Sequence, residues 1–265
     1  MDDDLLTTAE AARIAGVGTS SVKRWADLKL LPCVKTAGGH RRYLRREVER
    51  FLKEHGAPRA EEALERWMDV LVHGEPFELQ AAILSARSRA GAWYRVAEEL
   101  GAAIVEVGAR WKRGDITILE EHVASEKLAR ALARSGEGLP LAPEAPLAVL
   151  STAQGDDHTL GLSLAELCLR EAGWRSLWTG RRTPLHDIVS EIENGDVRML
   201  AVSASEYSSN PAALDSEAET LGRACRKSNV ELVLGGTGAW PDTPSYGIRV
   251  RSLADLHAFA TRHAS

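Results

Sequence analysis

Beyond residue 146 the chain alternates short apolar runs with amphipathic stretches of helical period, and this pattern most constrains the fold. The runs are Leu147–Ser151, Arg175–Thr179, Met199–Ser203, Glu231–Leu234 and Gly247–Val250; the helical stretches are Leu160–Ala172, Leu185–Asn194, Leu214–Ser228 and Leu253–Arg262. Parallel strands need long crossovers, usually helices, so the alternation predicts an α/β domain, a doubly wound parallel sheet of about five strands. Such sheets bind ligands at the carboxyl ends of their strands. There the first run enters a polar turn holding Asp156 and His158, and Gly161 follows where a helix begins. A carboxylate two residues before a histidine can hold one ring nitrogen and leave the other for a metal. The same turn also suits a solvated or hydrogen-bonded histidine, and both readings stay open at this point. The third run ends in Ser203-Ala204-Ser205 and the fourth in Gly235-Gly236-Thr237-Gly238. Missing side chains at the glycines would let a bulky ligand lie against the backbone. No G-x-G-x-x-G follows the first run, so a dinucleotide site is not indicated.

A Gly/Pro-rich stretch, Gly136–Pro146, separates this region from an all-helical one. Apolar residues recur at three- and four-residue spacing over Ala60–His73, Pro76–Ala90, Ala92–Lys112 and Thr117–Ser135, with breaks at Gly74, Gly91 and Gly114. Four helices with short connections predict an antiparallel four-helix bundle. Thr117-x-x-Glu120 reads as a capping box opening the fourth. Glu121 and His122 then fall in its first turns, across a short loop from Trp111.

The N-terminal segment has a different character. Thr7 to Glu10 reads as a capped helix start, Gly16-Val17-Gly18 as a turn, and Thr19 or Ser20 as the cap of a second helix carrying Lys23, Arg24 and Trp25. Paired glycines at 38 and 39 permit a hairpin tip before His40, Arg41 and Arg42, and Arg45 to His55 reads as a third helix. The chain's formal charge is −5, yet Val22–Arg46 holds eight basic residues against the single acid Asp27. Such a local excess is an electrostatic footprint for a polyanion. Three domains are therefore expected: 1–56, 57–138 and 147–265.

No apolar run reaches the roughly 18 residues of a membrane span, and the start MDDDLLTTAE is acidic, unlike a secretory signal. Cys33, Cys168 and Cys225 are isolated, which suits neither a disulfide framework nor a zinc cluster. The expectation is a cytoplasmic protein with no membrane partner.

Residues 5–54, through TAEAARIAGVGTSSVKRWADLKLL and TAGGHRRY, resemble the winged helix-turn-helix head of the MerR family of regulators. That resemblance implies binding to double-stranded operator DNA, with Ser20, Ser21, Lys23 and Arg24 facing the groove and His40, Arg41 and Arg42 on the wing. Trp25 is expected in the core of the small head. Asp156-x-His158-x-x-Gly161, Ser203 and Gly235-Gly236 resemble the Rossmann-like vitamin B12-binding domain. This implies His158 as the lower cobalt ligand, oriented by Asp156, with the cofactor's tail passing Gly161, Ser203, Gly235 and Gly236. Asp156 stands where Glu is frequent, and Ser203-Ala204-Ser205 departs from Ser-x-Leu. Trp111, nine intervening residues, and Glu121-His122 resemble the motif that surrounds the adenosyl group in light-sensing, adenosylcobalamin-dependent MerR regulators.

The whole resemblance implies a regulator, not an enzyme. Adenosylcobalamin in the dark would favour a homo-oligomer, a tetramer, holding operator DNA in the manner of a repressor; light would break the cobalt–carbon bond and release the DNA. One position departs. The residue after the tryptophan is a histidine in the light sensors and ligates cobalt after illumination; here it is Lys112, and a lysine amine, with an ordinary pKa of about 10.4, is protonated at neutral pH. No bis-histidine product involving residue 112 is expected. Two other readings remain: a cobalamin- or redox-sensing regulator without photosensing, and a corrinoid protein of methyl transfer.

Overall fold

The structure, a computed structural model, describes residues 5–15, 19–27, 29–36 and 39–264, and at 13, 19–21, 24 and 53–61 the backbone only. It divides into two compact units, Met1–Arg66 and Trp67–Ser265.

The first unit contains β1 (Leu5–Thr7), α1 (Thr8–Ile14), α2 (Thr19–Asp27), β2 (Val34–Lys35), β3 (Arg41–Leu44) and the start of α3 (Arg45–Val72). A capping box opens α1: the Thr7 hydroxyl accepts the Glu10 amide at 3.2 Å, and Glu10 accepts the Thr7 amide at 2.7 Å. The strands form an antiparallel sheet in the order β1-β3-β2, with Lys35 opposite Arg41. Leu6, Ala11, Val22, Leu31, Tyr43, Val48 and Phe51 make the core, and Trp25 packs on Phe51 with ring centroids 4.9 Å apart. Trp25 thus serves the core, as expected for a head too small to spare a large ring. The expected turn at 16–18 lies outside the described residues.

Helix α3 differs from expectation. The reading ended a helix at His55 and began another at Ala60, but the backbone is helical from Arg45 to Val72. Strong helix formers on both sides of Gly56-Ala57-Pro58 carry the helix through, although proline costs about 3 kcal/mol within one. The boundary expected after Gly56 therefore falls inside α3.

The second unit begins with the end of α3 and continues through α4 (Pro76–Ala90), α5 (Trp93–Arg113) and α6 (Ile118–Glu137). Gly91 and Gly114 end α4 and α5 in the left-handed region, at φ +76° and +80°, where a Cβ is strained. The Thr117–Glu120 capping box opens α6. After residue 146 come β4 (Leu147–Thr152), α7 (Leu160–Glu171), β5 (Arg175–Trp178), α8 (Leu185–Asn194), β6 (Val197–Ala204), α9 (Pro211–Ser228), β7 (Glu231–Gly236), β8 (Ile248–Arg249) and α10 (Leu253–His263). The strands form one parallel sheet in the order β5-β4-β6-β7-β8. This is the doubly wound, Rossmann-like arrangement, with its order reversing beside β4 and β6.

Alternation along each strand assigns the two faces. Leu200, Val202 and Ala204 of β6 join α8 and α9 in one core cluster. Met199, Ala201 and Ser203 face the other way, towards α7 and α10. On that side α7 packs on α5 and α6, and α10 on α5 and α7, so the helical layer and the sheet lie within one compact unit. Among the described residues, no helix is long and apolar enough to cross a membrane.

Candidate functional site

The loop between β4 and α7 emerges at the carboxyl edge of the sheet. Asp156 in this loop is almost fully buried and saturated with donors. Its Oδ1 accepts the His158 amide at 2.9 Å and lies 2.9 Å from His158 Nδ1; its Oδ2 accepts the Ser205 amide at 2.6 Å and the Ser208 hydroxyl at 2.7 Å. Burial alone would raise the carboxyl pKa, but the amides of Ser205 and His158, with Ser208 and the His158 ring, outweigh it and hold the group down at about 2. An ionised Asp156 places the ring proton on Nδ1 and leaves the Nε2 lone pair for a ligand.

The His158 side chain is 56% exposed, and Nε2 meets no polar partner among the described residues. The ring is held by Asp156, by Ser205 Oγ at 3.2 Å from Nδ1, and by Tyr207, stacked on it at 4.7 Å with 9° between planes. No group of three or more His, Cys, Asp or Glu side chains among the described residues could hold a metal ion. A single oriented imidazole suits a metal that brings its own equatorial ligands, as a corrinoid does, and the donor set fits that group.

Register brings together the residues expected beside the cofactor's tail. Thr152, Ser203 and Gly235 are paired neighbours at the ends of β4, β6 and β7, so they line one row. Gly161, in the first turn of α7, faces this row: a Cβ there would meet Ser203 Oγ at 3.4 Å. A Cβ at Gly235 would meet only Val250, at 3.4 Å. Gly236 lies against Ser203 as well, where a Cβ would stand 2.9 Å from Oγ, and the fold also requires this glycine. At φ +84°, its Cβ would stand 2.2 Å from the Ala204 carbonyl oxygen, so β6 itself demands the glycine there.

Trp111, Glu121 and His122 lie in the helical layer, on α5 and α6. Helix α5 spans about 30 Å at 1.5 Å per residue over its 21 residues. Near its start, the Trp93 amide donates to Glu171 at the end of α7; near its end, Lys112 Nζ lies 2.6 Å from Glu206, just beyond β6. The end of α5 therefore stands at the same sheet edge as the His158 loop. Trp111 is 38% exposed there. Glu121 accepts from Ser125 at 2.8 Å, and its Oε2 lies 3.5 Å from Nε2 of the largely exposed His122. No hydrogen bond, ion pair or ring contact among the described residues joins Trp111 to Glu121 or His122.

In the first unit, Lys23 and His40 are exposed. The side chains of Ser20, Ser21 and Arg24 lie outside the described residues. Arg41 is engaged within the head, where it donates to the Lys23 carbonyl at 2.9 Å and to Asp27 at 2.6 Å, tying β3 to the end of α2. Arg42 donates to the Arg41 carbonyl at 3.0 Å.

Sequence reasoning missed Glu206, Tyr207, Ser208 and Glu217. The first three stand in the polar run Ser205–Asn210 between β6 and α9, and its position after a strand was the available signal. Glu217 gave none, because its role arises only where α9 crosses the loop after β4. Its buried carboxylate accepts the Gln154 amide at 3.1 and 3.2 Å, and burial raises its pKa against that hydrogen bond. A cavity of about 510 Å³ opens beside it, lined by Gln154, Ser208, Asn210 and Leu185, on the α8–α9 side of the sheet and away from the row of Gly161 and Ser203.

Two family models match the chain: one described as a helix-turn-helix domain over residues 5–56, the other as a B12 binding domain over residues 63–134. The second match covers the end of α3 through most of α6, not the sheet. Dimethylamine corrinoid protein 3 of Methanosarcina acetivorans is 25% identical over 179 residues, 66% of this chain and 84% of that protein. The HTH-type transcriptional repressor CarH of Myxococcus xanthus is 32% identical over 91 residues, 34% of this chain and 30% of that protein. The solved monomethylamine corrinoid protein of Methanosarcina barkeri superposes with a TM-score of 0.53 at 16% identity, over 76% of this chain and 98% of that one, a likeness of fold. The chain therefore combines a helix-turn-helix domain with a B12-binding domain and a parallel, Rossmann-like sheet.

Proposed function

We propose that this chain is a cobalamin-dependent transcriptional regulator, light-responsive through adenosylcobalamin. The observation that carries this reading is the buried, ionised Asp156 orienting a half-exposed His158 at the sheet edge of a chain whose other unit is a basic helix-turn-helix. His158 would offer Nε2 as the lower cobalt ligand. Gly161, Ser203 and Gly235 would flank the cofactor's tail, and Trp111, Glu121 and His122 would cover the upper face. The first unit would act as a MerR-type winged head on operator DNA, with Lys23 and His40 the exposed ones among the expected contacts whose side chains are described.

Bound adenosylcobalamin supplies a cobalt–carbon bond that green light breaks. The chain's part is to make its assembly state depend on that bond. Several heads joined in one oligomer, a tetramer in this proposal, bind DNA far more tightly than one, because each later contact is intramolecular. A ligand can drive such a switch only if it favours one assembly over the other. The test is gel filtration and operator binding with adenosylcobalamin, in the dark and after green light. A larger, DNA-binding species in the dark that dissociates on illumination is expected; identical elution and binding in both would remove the switch.

Lys112, engaged with Glu206, favours a variant in which the same architecture senses cobalamin level or oxidation state without light. The loaded protein's absorption spectrum discriminates, since photosensing requires a change under green light. The similarity to dimethylamine corrinoid proteins favours a methyl-carrier reading, against which the helix-turn-helix stands. Transfer of a methyl group from the methylcobalamin-loaded chain to a thiol would establish it.

A further inference from the structure

The side chain of Lys112 leaves the helical layer and reaches the loop that surrounds His158. Its ammonium lies 2.6 Å from Glu206 Oε1 and 5.5 Å from the centroid of the Tyr207 ring. Tyr207 stacks on the His158 imidazole, and Asp156 grips that imidazole together with Ser205 and Ser208 on either side of Glu206-Tyr207. Residues 205–208 and the imidazole are thus tied into one unit, and Lys112 is the tie that reaches it from α5.

We propose that Lys112 is a positioning residue for His158: by holding Glu206 and lying over Tyr207 it keeps the tyrosine ring against the imidazole and so fixes the ring plane. The residue that departs from the light-sensor pattern then acts on the lower face of the site, through Tyr207, instead of above the metal. Its lone pair is occupied by a proton that Glu206 stabilises, and the pairing raises the Lys112 pKa further. The ion pair is largely solvent-exposed, with 52% and 60% of the two side chains accessible. Such pairs are weak and salt-screened, so the clasp is readily opened. This rests on the cobalamin reading only in taking His158 as the metal ligand; the clasp itself belongs to the protein without cofactor.

The experiment uses the full chain, cofactor-free and histidine-labelled, with the His158 ring protons assigned by comparison with His158→Gln. Tyr207 stacked on the imidazole displaces these resonances upfield. Tyr207→Ala should abolish the displacement and Tyr207→Phe should keep it. Lys112→Ala should reduce it, Lys112→Arg should restore it, and added salt should bring the parent towards Lys112→Ala. A displacement present in the parent and indifferent to Lys112→Ala overturns the proposal, as does one that Lys112→Arg fails to restore. Hydroxocobalamin is then added to the same samples. Weaker histidine-ligated binding by Lys112→Ala than by the parent extends the role to the metal site. Absence of a histidine-ligated spectrum in the parent overturns the cobalamin reading and leaves the resonance result standing.

Discussion

Asp156 holds four donors on one buried carboxylate, and this makes the site pH-dependent. Its folded-state pKa, about 2, lies below the unfolded value of about 3.9. The stability it contributes is therefore complete above about pH 4 and lost as the pH falls towards 2. That depression is worth about 2.5 kcal/mol. Urea unfolding between pH 2.5 and 7, a window set by these pKa values, should show that loss in the parent and a flatter profile in Asp156→Asn, whose stability is already lower at pH 7. The glycines separate ligand needs from fold needs at the same scale. Gly236→Ala meets the Ala204 carbonyl from a left-handed backbone and should destabilise the protein by about 1–3 kcal/mol, measured by urea unfolding. Gly161→Ala meets Ser203 only at ordinary contact distance. Its unfolding midpoint should stay near the parent's while hydroxocobalamin binding weakens about tenfold, a change of about 1.4 kcal/mol.

Elements in the second unit cap one another across the helical layer. The N-cap of α5 is Ala92, which offers no side-chain acceptor. Glu171, at the end of α7, accepts the Trp93 amide at 2.7 Å instead and also pairs with Arg87 of α4 at 2.9 Å. In return, Glu98 of α5 accepts the first two amides of α10, from Leu253 and Ala254, at 2.9 and 3.1 Å. A carboxylate at a helix N-terminus satisfies orphan donors and complements the dipole. Glu98→Ala should cost about 0.5–2 kcal/mol and speed amide exchange at Leu253 and Ala254, while exchange in the buried β6 stays near the parent's. These borrowed caps anchor the first half of α5, and Gly114 ends the helix just beyond Trp111 and Lys112. In the first unit, the Arg41 bonds to α2 do similar work between hairpin and helix. Arg41→Ala should lower the head's stability as well as its affinity for DNA.

At the scale of the whole molecule, the proposed switch acts through the number of heads engaged at once. Phosphate contacts release counterions, so log affinity falls with log salt in proportion to their number. Fluorescence anisotropy with operator DNA should give a steeper salt slope for the adenosylcobalamin-loaded chain in the dark than after green light; equal slopes would leave assembly out of the account. Much of the architecture was legible in the residues. The alternation after residue 146 determined a doubly wound parallel sheet, because short apolar runs joined by helical stretches have few other ways to bury both faces. Capping boxes at Thr7 and Thr117 located helix starts, since their two hydrogen bonds span only three residues. Asp156 and His158 could be paired in the sequence for the same reason: a separation of two residues is decided locally. The sequence did not determine that α3 continues past Gly56, because flanking helix formers compete there with a proline. Nor did it show that Gly236 answers to Ala204, that Glu217 grips the loop before Asp156, or that Lys112 reaches Glu206 and Tyr207. Those relations join residues far apart in the chain, and only the packing of α5 and α9 about the sheet brings them within contact distance. The sequence by itself thus determined the elements and the local Asp156–His158 pair. Tertiary structure decided what surrounds that pair and turned Lys112 towards the loop after β6 that packs on the histidine.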